Sequence, residues 1–451
     1  MRALKILALV LLGAVALLGV GFVVLVRYLD SDAFRRATIG AAQETLGAPV
    51  TVGELHVSLF SGAAFRQVVV GNPPGVPGDL LRAEALVVRP RLLPLFRRRL
   101  EFAEMRLDSP VVTLVRNARG EWSFERLISH SPTSPSAGSG GGAAPSGGTE
   151  IPPSASPTLD VVVPRLAMSH GRLTVTREGK GSLVDAADID LATSLSRVGT
   201  ALAGEGQLSI ASIRIAERTE IRSFTAPLKF QGGDLTLAPL GGQVADGVLK
   251  GKATVGLTGP TRYAVSLELS DGRAESLLAS LGGRKLSGRL QAQASFTGSA
   301  EGTTGQGHAE IRDGQLYDLP VLGAVATALD LPLLRDQRFQ EGAIDFVLAG
   351  DVLRTPVVRF IAGDVKILGK GEIHLTAGEL AHELTLLVPQ ATVRRAPREM
   401  RTAFTDRGNG LMGVDFHVWG PYRSPRTDLQ DRVLRGFAES LLKKGLKQFL
   451  R

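Results

Sequence analysis

Seven histidines are the residues of this 451-residue chain best suited to proton or metal chemistry: His56, His130, His170, His308, His374, His382 and His417. No two have zincin spacing, and most alternate with apolar residues as the polar side of a strand would. Cysteine is absent, which excludes disulfides, thiolate nucleophiles and Cys-ligated zinc. No nucleophile elbow or Walker loop occurs. Gly408, Gly410 and Gly413 spell G-x-G-x-x-G, but Val414–Val418 reads as a strand, whereas a dinucleotide fingerprint needs a helix there. Asp185, Asp188 and Asp190 place carboxylates near a strand start, as a cation site or as turn and edge residues. The chain is therefore expected to be non-enzymatic, with no catalytic residue, no metal and no cofactor.

Lysine and arginine total 52 against 44 acidic residues, for a net charge of +8. The excess is modest and scattered through strand-like text, so no nucleic-acid partner is expected. Beside a membrane anchor, the same balance suits anionic lipid headgroups.

The anchor is the run Ile6–Val26, unbroken by charge, with Ile6, Leu11, Leu18, Phe22 and Val26 along it. At about 1.5 Å per residue it spans a hydrocarbon core of roughly 30 Å. It is longer than a secretory h-region, so a retained single span (residues 1–28) is expected rather than a cleaved signal. Arg2 and Lys5 precede it, and Arg27, Arg35 and Arg36 follow it, so charge alone does not orient it.

Beyond the anchor, residues 29–128 open with a helix capped by Asp30 or Ser31 and running to about Leu46, stopped by Gly47 and Pro49. Strand text follows. Residues 129–158 are almost entirely Ser, Pro, Gly and Ala, which reads as a disordered insertion, too poor in apolar surface to offset its ordering entropy. It separates the first region from a second, residues 159–426. There, period-two alternation recurs in segment after segment, for example Tyr263, Val265, Leu267 and Leu269 against Arg262, Ser266 and Glu268. Gly232-Gly233, Gly282-Gly283 and Asp313-Gly314 read as turns between antiparallel neighbours. Short helices are expected near Glu275–Leu281 and Val321–Leu331. Residues 427–451 form an amphipathic basic helix, in which Phe437, Leu441 and Phe449 oppose Lys443, Lys444 and Lys447. Such a helix docks on a membrane surface, caps a groove, or packs on the end of the sheet.

The fold class expected is mainly β with a few helices: an elongated, curved antiparallel sheet with one apolar face. That face must close as a core, stack on another sheet, or take up something oily. Its inward residues are small and aliphatic, which suits a smooth groove. Val255, Leu257, Val265, Leu267, Leu290, Phe296, Ile311, Ile373 and Leu375 are the candidate lining. Each buried acyl methylene contributes roughly 0.8 kcal/mol without fixing a direction.

Leu46–Leu55 (LGAPVTVGEL), Glu84–Leu95 (EALVVRPRLLPL) and Leu107–Leu127 (LDSPVVTLVRNARGEWSFERL) follow the anchor in an order that resembles the AsmA-like family of Gram-negative envelope proteins. Ser123 stands where many members have asparagine. Gly307–Gly323 and Val414–Leu429 are similar to the family's C-terminal region. The resemblance covers nearly the whole chain apart from residues 129–158. It implies an inner-membrane anchor, a bulk in the periplasm, and kinship with bridge-like lipid transfer proteins that carry phospholipid in a β-groove. The implied role is phospholipid handling or outer-membrane biogenesis, with phospholipid acyl chains as partners. The alternative is a non-catalytic assembly factor that pairs its strand edges with other envelope proteins.

Overall fold

The structure, a computed structural model, describes most of residues 48–433 together with Gly40 and Gln43. Residues 118–159 other than Ser123, residues 280–285 and 317–337, several short turns, residues 434–451 and the rest of 1–47 lie outside that description. The anchor run Ile6–Val26 and the expected helix near Val321–Leu331 fall among these, as do Phe437, Leu441, Lys443, Lys444, Lys447 and Phe449. Among the described residues, no helix is long and apolar enough to cross a membrane. The described chain is mainly β with a few short helices, and its strand pairs are mostly antiparallel. It divides into two compact units, Met1–Glu217 with Pro227–Gly232, and Arg218–Ala226 with Gly233–Arg451.

In the first unit, β1 (Val50–Ser58), β2 (Gly62–Gly71) and β3 (Asp79–Arg91) form an antiparallel meander. Val50, Val52 and Val70 bury one face with Ala48, and Phe65 and Leu81 pack against them. The next two strands, β4 (Arg99–Asp108) and β5 (Val111–Arg116), act as one strand broken at Ser109-Pro110. β3 pairs antiparallel with both, and β6 (Asp160–Arg177) pairs parallel with both. Proline has no N–H to give a ladder, so a break there is expected. The break is bridged: the Ser109 N–H donates to the Ser169 carbonyl at 2.8 Å, and the Arg172 N–H to the Pro110 carbonyl at 2.7 Å. Val115 lies past the start of β3. There Ser123 takes the place of a strand, its N–H donating to the Val115 carbonyl at 2.8 Å and its hydroxyl accepting the Val115 N–H at 3.2 Å. β7 (Gly181–Val198) and β8 (Ala201–Ile215) continue the sheet antiparallel. Strands on both sides of the Ser/Pro/Gly-rich segment thus pair within one sheet, and the two compact units divide within β9 (Thr219–Gln231).

The second unit is an antiparallel meander. It runs through β10 (Asp234–Val244), β11 (Gly247–Gly256), β12 (Arg262–Arg273), α1 (Ala274–Ala279), β13 (Leu286–Ser299), β14 (Gly302–Leu316), β15 (Arg338–Ala349), β16 (Val352–Ala362), β17 (Val365–His374) and β18 (Glu379–Pro389). After α2 (Gln390–Arg395), α3 (Arg398–Arg401) and the two-residue β19 (Thr405–Asp406), β20 (Leu411–Pro421) returns beside β18, and β21 (Arg426–Thr427) pairs with its outer side. All the helices among the described residues of this unit lie at one end of the sheet, together with the two-residue turns β10–β11 and β16–β17; the other end is joined by connections of two to five residues. Asp313-Gly314 is not a turn between strands. Asp313, at φ 50°, is a kink inside β14, opposite the irregularity between Ser287 and Arg289 of β13. Dipeptides of this type serve bulges as well as turns, because both need a left-handed residue.

Candidate functional site

The register of the second unit puts apolar side chains in lines across the sheet. One line runs Leu237, Ala253, Val265, Phe296, Gly305 and Leu348. Another runs Leu290, Ile311, Gly342, Phe360, Ile367, Leu386 and Val414. Because side chains alternate along each strand, these lines share one face from β10 to β20. The opposite face carries exposed polar pairs, including the Arg312–Glu310 ion pair at 2.6 Å and the His308–Asp345 hydrogen bond at 2.6 Å. At such exposure each contributes on the order of 0–1 kcal/mol, so these pairs mark the wet face rather than hold the sheet together.

The apolar face is low in relief, since glycines on it lie under rings from the neighbouring strand. A Cβ on Gly298 would stand 2.1 Å from the Tyr263 ring, and one on Gly307 would stand 2.4 Å from the Phe346 ring. Phe296 covers Gly305 in the same way and stacks on Phe346 with centroids 6.4 Å apart. A ring laid over a glycine fills the space of the missing side chain and protrudes less than one standing on the sheet.

Cover is concentrated at the helical end. There α1 buries Leu269 and Leu290 with Ala274, and Leu277 packs beside them. The Ser276 hydroxyl donates to Asp246 at 2.6 Å, and Glu275 accepts the Gly288 N–H at 3.1 Å, which fixes α1 over the sheet. Val393 of α2 and Met400 of α3 join Phe404, Leu429 and Val433 over Leu386, Val388, Val414 and Phe416. Towards the other end the same face is half-buried: Val255, Tyr263, Val265, Leu267, Phe296, Ile344 and Phe346 belong to none of the buried clusters found among the described residues.

The residues expected to line a groove therefore separate into groups. Val255, Val265, Leu267, Phe296 and Ile373 lie on the half-buried part of the face. Leu290 is sealed beneath α1, and Ile311 packs against the same core, so a ligand on the open part does not reach Leu290. Leu257 and Leu375 follow the last residues of their strands and are 45% and 50% exposed. Ile344, Phe346 and Phe360 belong to the face but were not among the expected lining. The alternation in Ile344, Phe346 and Leu348 was the available signal, and an irregularity at Pro356-Val357 hid its continuation in β16.

One polar rung interrupts this face. Thr355, Gly371, His382 and Val418 are aligned across β16, β17, β18 and β20. The His382 ring lies over Gly371, and its Nε2 is 3.0 Å from the hydroxyl of fully buried Thr355. Burial pushes the imidazole below its ordinary range, so the neutral ring is favoured in the fold. The unfolded chain then binds this proton first, and the stability that His382 supports falls as pH drops below the ordinary imidazole range. Between about pH 7.5 and 5.5, unfolding measurements are expected to show a larger loss for the native chain than for the doubly replaced His382→Phe, Thr355→Val chain. Equal losses would remove His382 as the source.

The other groups singled out by type have structural roles. Gly408 and Gly410, at φ 79° and 71°, form the turn into β20, and the Gly408 N–H donates to Asp406 at 2.8 Å. Asp190 accepts the His170 N–H at 3.0 Å, Asp188 is a left-handed residue within β7, and Asp185 lies 3.8 Å from Arg214. Among the described residues, no cluster is arranged to hold a metal ion. The outer side of β20 is occupied by β19, β21 and Asp428, whose carboxylate accepts the His417 N–H at 2.7 Å and pairs with Arg432 at 2.7 Å. Burial works against the Asp428 charge, but the His417 N–H and Arg432 outweigh it and hold this carboxyl below its ordinary range. At the far side of the first unit, the Gln43 amide donates to the Val50 carbonyl on β1 at 2.9 Å. No family model, curated protein or solved structure matches this chain.

Proposed function

We propose that this chain is an inner-membrane-anchored, AsmA-like envelope protein whose periplasmic β-sheet carries phospholipid acyl chains on one apolar face. The observation that carries the reading is the face itself. Its apolar lines pass from strand to strand between β10 and β20 across several register shifts and one polar rung at Thr355 and His382, and the cover described over it lies at the end that carries α1, α2 and α3. Half-buried aliphatic and aromatic side chains at Val265, Leu267 and Phe296 suit acyl chains, with roughly 0.8 kcal/mol for each methylene removed from water. Low relief over the glycines suits a ligand that slides. The anchor Ile6–Val26 supplies contact with the donor membrane in this reading. Strand addition to partner proteins is the less favoured alternative, because an incoming strand at β20 would have to displace β19, β21 and Asp428.

The test uses the full chain in cells, with a photoreactive residue at Phe296, or at its wet-face neighbour Thr297, followed by mass spectrometry of adducts. Phospholipid adducts at Phe296 and none at Thr297 are expected. Their loss in a Val265→Asp, Leu267→Asp chain that still folds would tie them to the face. Absence of lipid at Phe296 overturns the reading.

A further inference from the structure

The wet face of the second unit holds a cleft of about 740 Å³, a volume suited to a small-molecule ligand. Two lines of residues form it. Arg354, Glu372, Ala381 and Trp419 are aligned across β16, β17, β18 and β20. Lys370, Glu383 and His417 form the next line across β17, β18 and β20. Thr355 and His382 lie between the two lines and belong to the apolar face, so the sheet itself separates this cleft from the surface proposed for lipid.

Ala381 opens the cleft. It is exposed and carries only a methyl group, between Glu372 on one neighbouring strand and Trp419 on the other. At about 4.8 Å per strand those two neighbours stand roughly 10 Å apart with little between them. Trp419 is 41% exposed, a large rigid ring left open to water on a face of polar residues. His417 is tied to Asp428, and Glu372 lies 3.4 Å from His374. Arg354 lies opposite Glu372, and Lys370 opposite Glu383, yet neither couple closes into an ion pair. Two cations against two carboxylates favour neither an anion nor a cation, but they offer donors and acceptors to hydroxyl groups. The indole adds a flat surface whose electron-rich face attracts polarised C–H bonds. An uncharged molecule, rich in hydroxyls and with one face of C–H bonds, is a pyranose sugar. We propose that this cleft binds an oligosaccharide, with one sugar ring stacked on Trp419 beside Ala381 and the hydroxyls of the chain bonded by Arg354, Lys370, Glu372 and Glu383. This does not rest on the lipid reading.

Trp419 is one of two tryptophans, so in a Trp122→Phe chain its fluorescence reports alone. The full-length chain, held in phosphatidylcholine nanodiscs, would be titrated with cellotetraose, maltotetraose and chitotetraose, and the native chain followed in parallel by calorimetry. A saturable change with at least one of the three is expected, and added salt should not weaken it, because the ligand is neutral. By calorimetry, Trp419→Ala and Ala381→Leu are each expected to weaken binding about tenfold or more, the first by removing the platform and the second by filling the gap. Both positions are exposed, so the midpoint of chemical unfolding should be kept. Thr297→Ala, on the same face outside the cleft, should bind as the native chain does. Binding of none of the three sugars, binding that survives both Trp419→Ala and Ala381→Leu, or binding only of a polyanion such as heparin that salt abolishes overturns the proposal. Sugar binding in a chain that gives no lipid adduct at Phe296 would leave it standing and sink the lipid reading alone.

Discussion

Removing Ser129–Thr158 is expected to break the first unit's sheet, while replacing the same stretch with Gly and Ser of equal length is expected to leave it intact. The reason is the parallel register of β6 with β4 and β5. Arg116 sits beside Arg177, and Asp160 beside Arg99, so the chain leaving β5 must return along the whole strand before β6 begins. At about 3.3 Å per residue that return is roughly 56 Å. The roughly 43 residues between Arg116 and Asp160 cover it with slack, whereas the roughly 13 left by the deletion reach at most ~50 Å. Ser123 tightens the limit further, because it is tied back to Val115 and effectively starts the return there. The shortened chain must give up both the Ser123 contact and the β4–β6 register. Hydrogen exchange is the direct measurement: fast exchange across β4, β5 and β6 is expected in the deletion, with protection kept in the Gly/Ser replacement. Unchanged protection in both would mean that the parallel pairing is wrong.

That topology was the part of the fold the sequence concealed. Alternation at Leu173 and Val175, or at Leu290, Ala292 and Ala294, identified strands because a half-buried strand must alternate. The same alternation says nothing about which strand lies alongside. A Ser/Pro/Gly-rich stretch looks like a boundary between regions, yet a long connection is also what two parallel strands require. The apolar face was legible at Val265, Leu267 and Phe296 for the same periodic reason. Its limits were not. Leu290 alternates as well as Phe296 does, but α1 folds over one and not the other, and that difference comes from tertiary packing. The polar rung at Thr355 and His382 was hidden for another reason. The irregularity at Pro356-Val357 shifts the period in β16, so Thr355 shares a face with Val358 despite their odd spacing. His382, read among polar-face histidines, faces the apolar side.

Gly314→Val is expected to be among the most damaging single changes in the second unit. Gly314 lies opposite Phe339 in β14 and β15, and a Cβ there would stand 2.1 Å from the ring and 2.6 Å from the Ser287 carbonyl oxygen. At Gly298 the three nearest atoms all belong to Tyr263, a half-buried ring outside the buried core clusters whose hydroxyl lies 2.6 Å from that of Thr303. At Gly314 the ring is held. Phe339 is 5% exposed, its ring centroid is 4.7 Å from that of Phe360, and it belongs to the core with Leu386, Met400 and Val433. Overpacking against an immobile neighbour costs about 3 kcal/mol. Phe339→Ala on its own costs about 3–5 kcal/mol through the cavity it leaves. The combination tests the cause. The double variant Gly314→Val, Phe339→Ala is expected to lose less than the sum of the two single losses, because the valine enters the space the ring vacates. The Ser287 carbonyl remains in the way, so the rescue should be partial. Chemical unfolding of the four chains measures this coupling. Strict additivity would show that Gly314 is required for something other than the ring that lies over it.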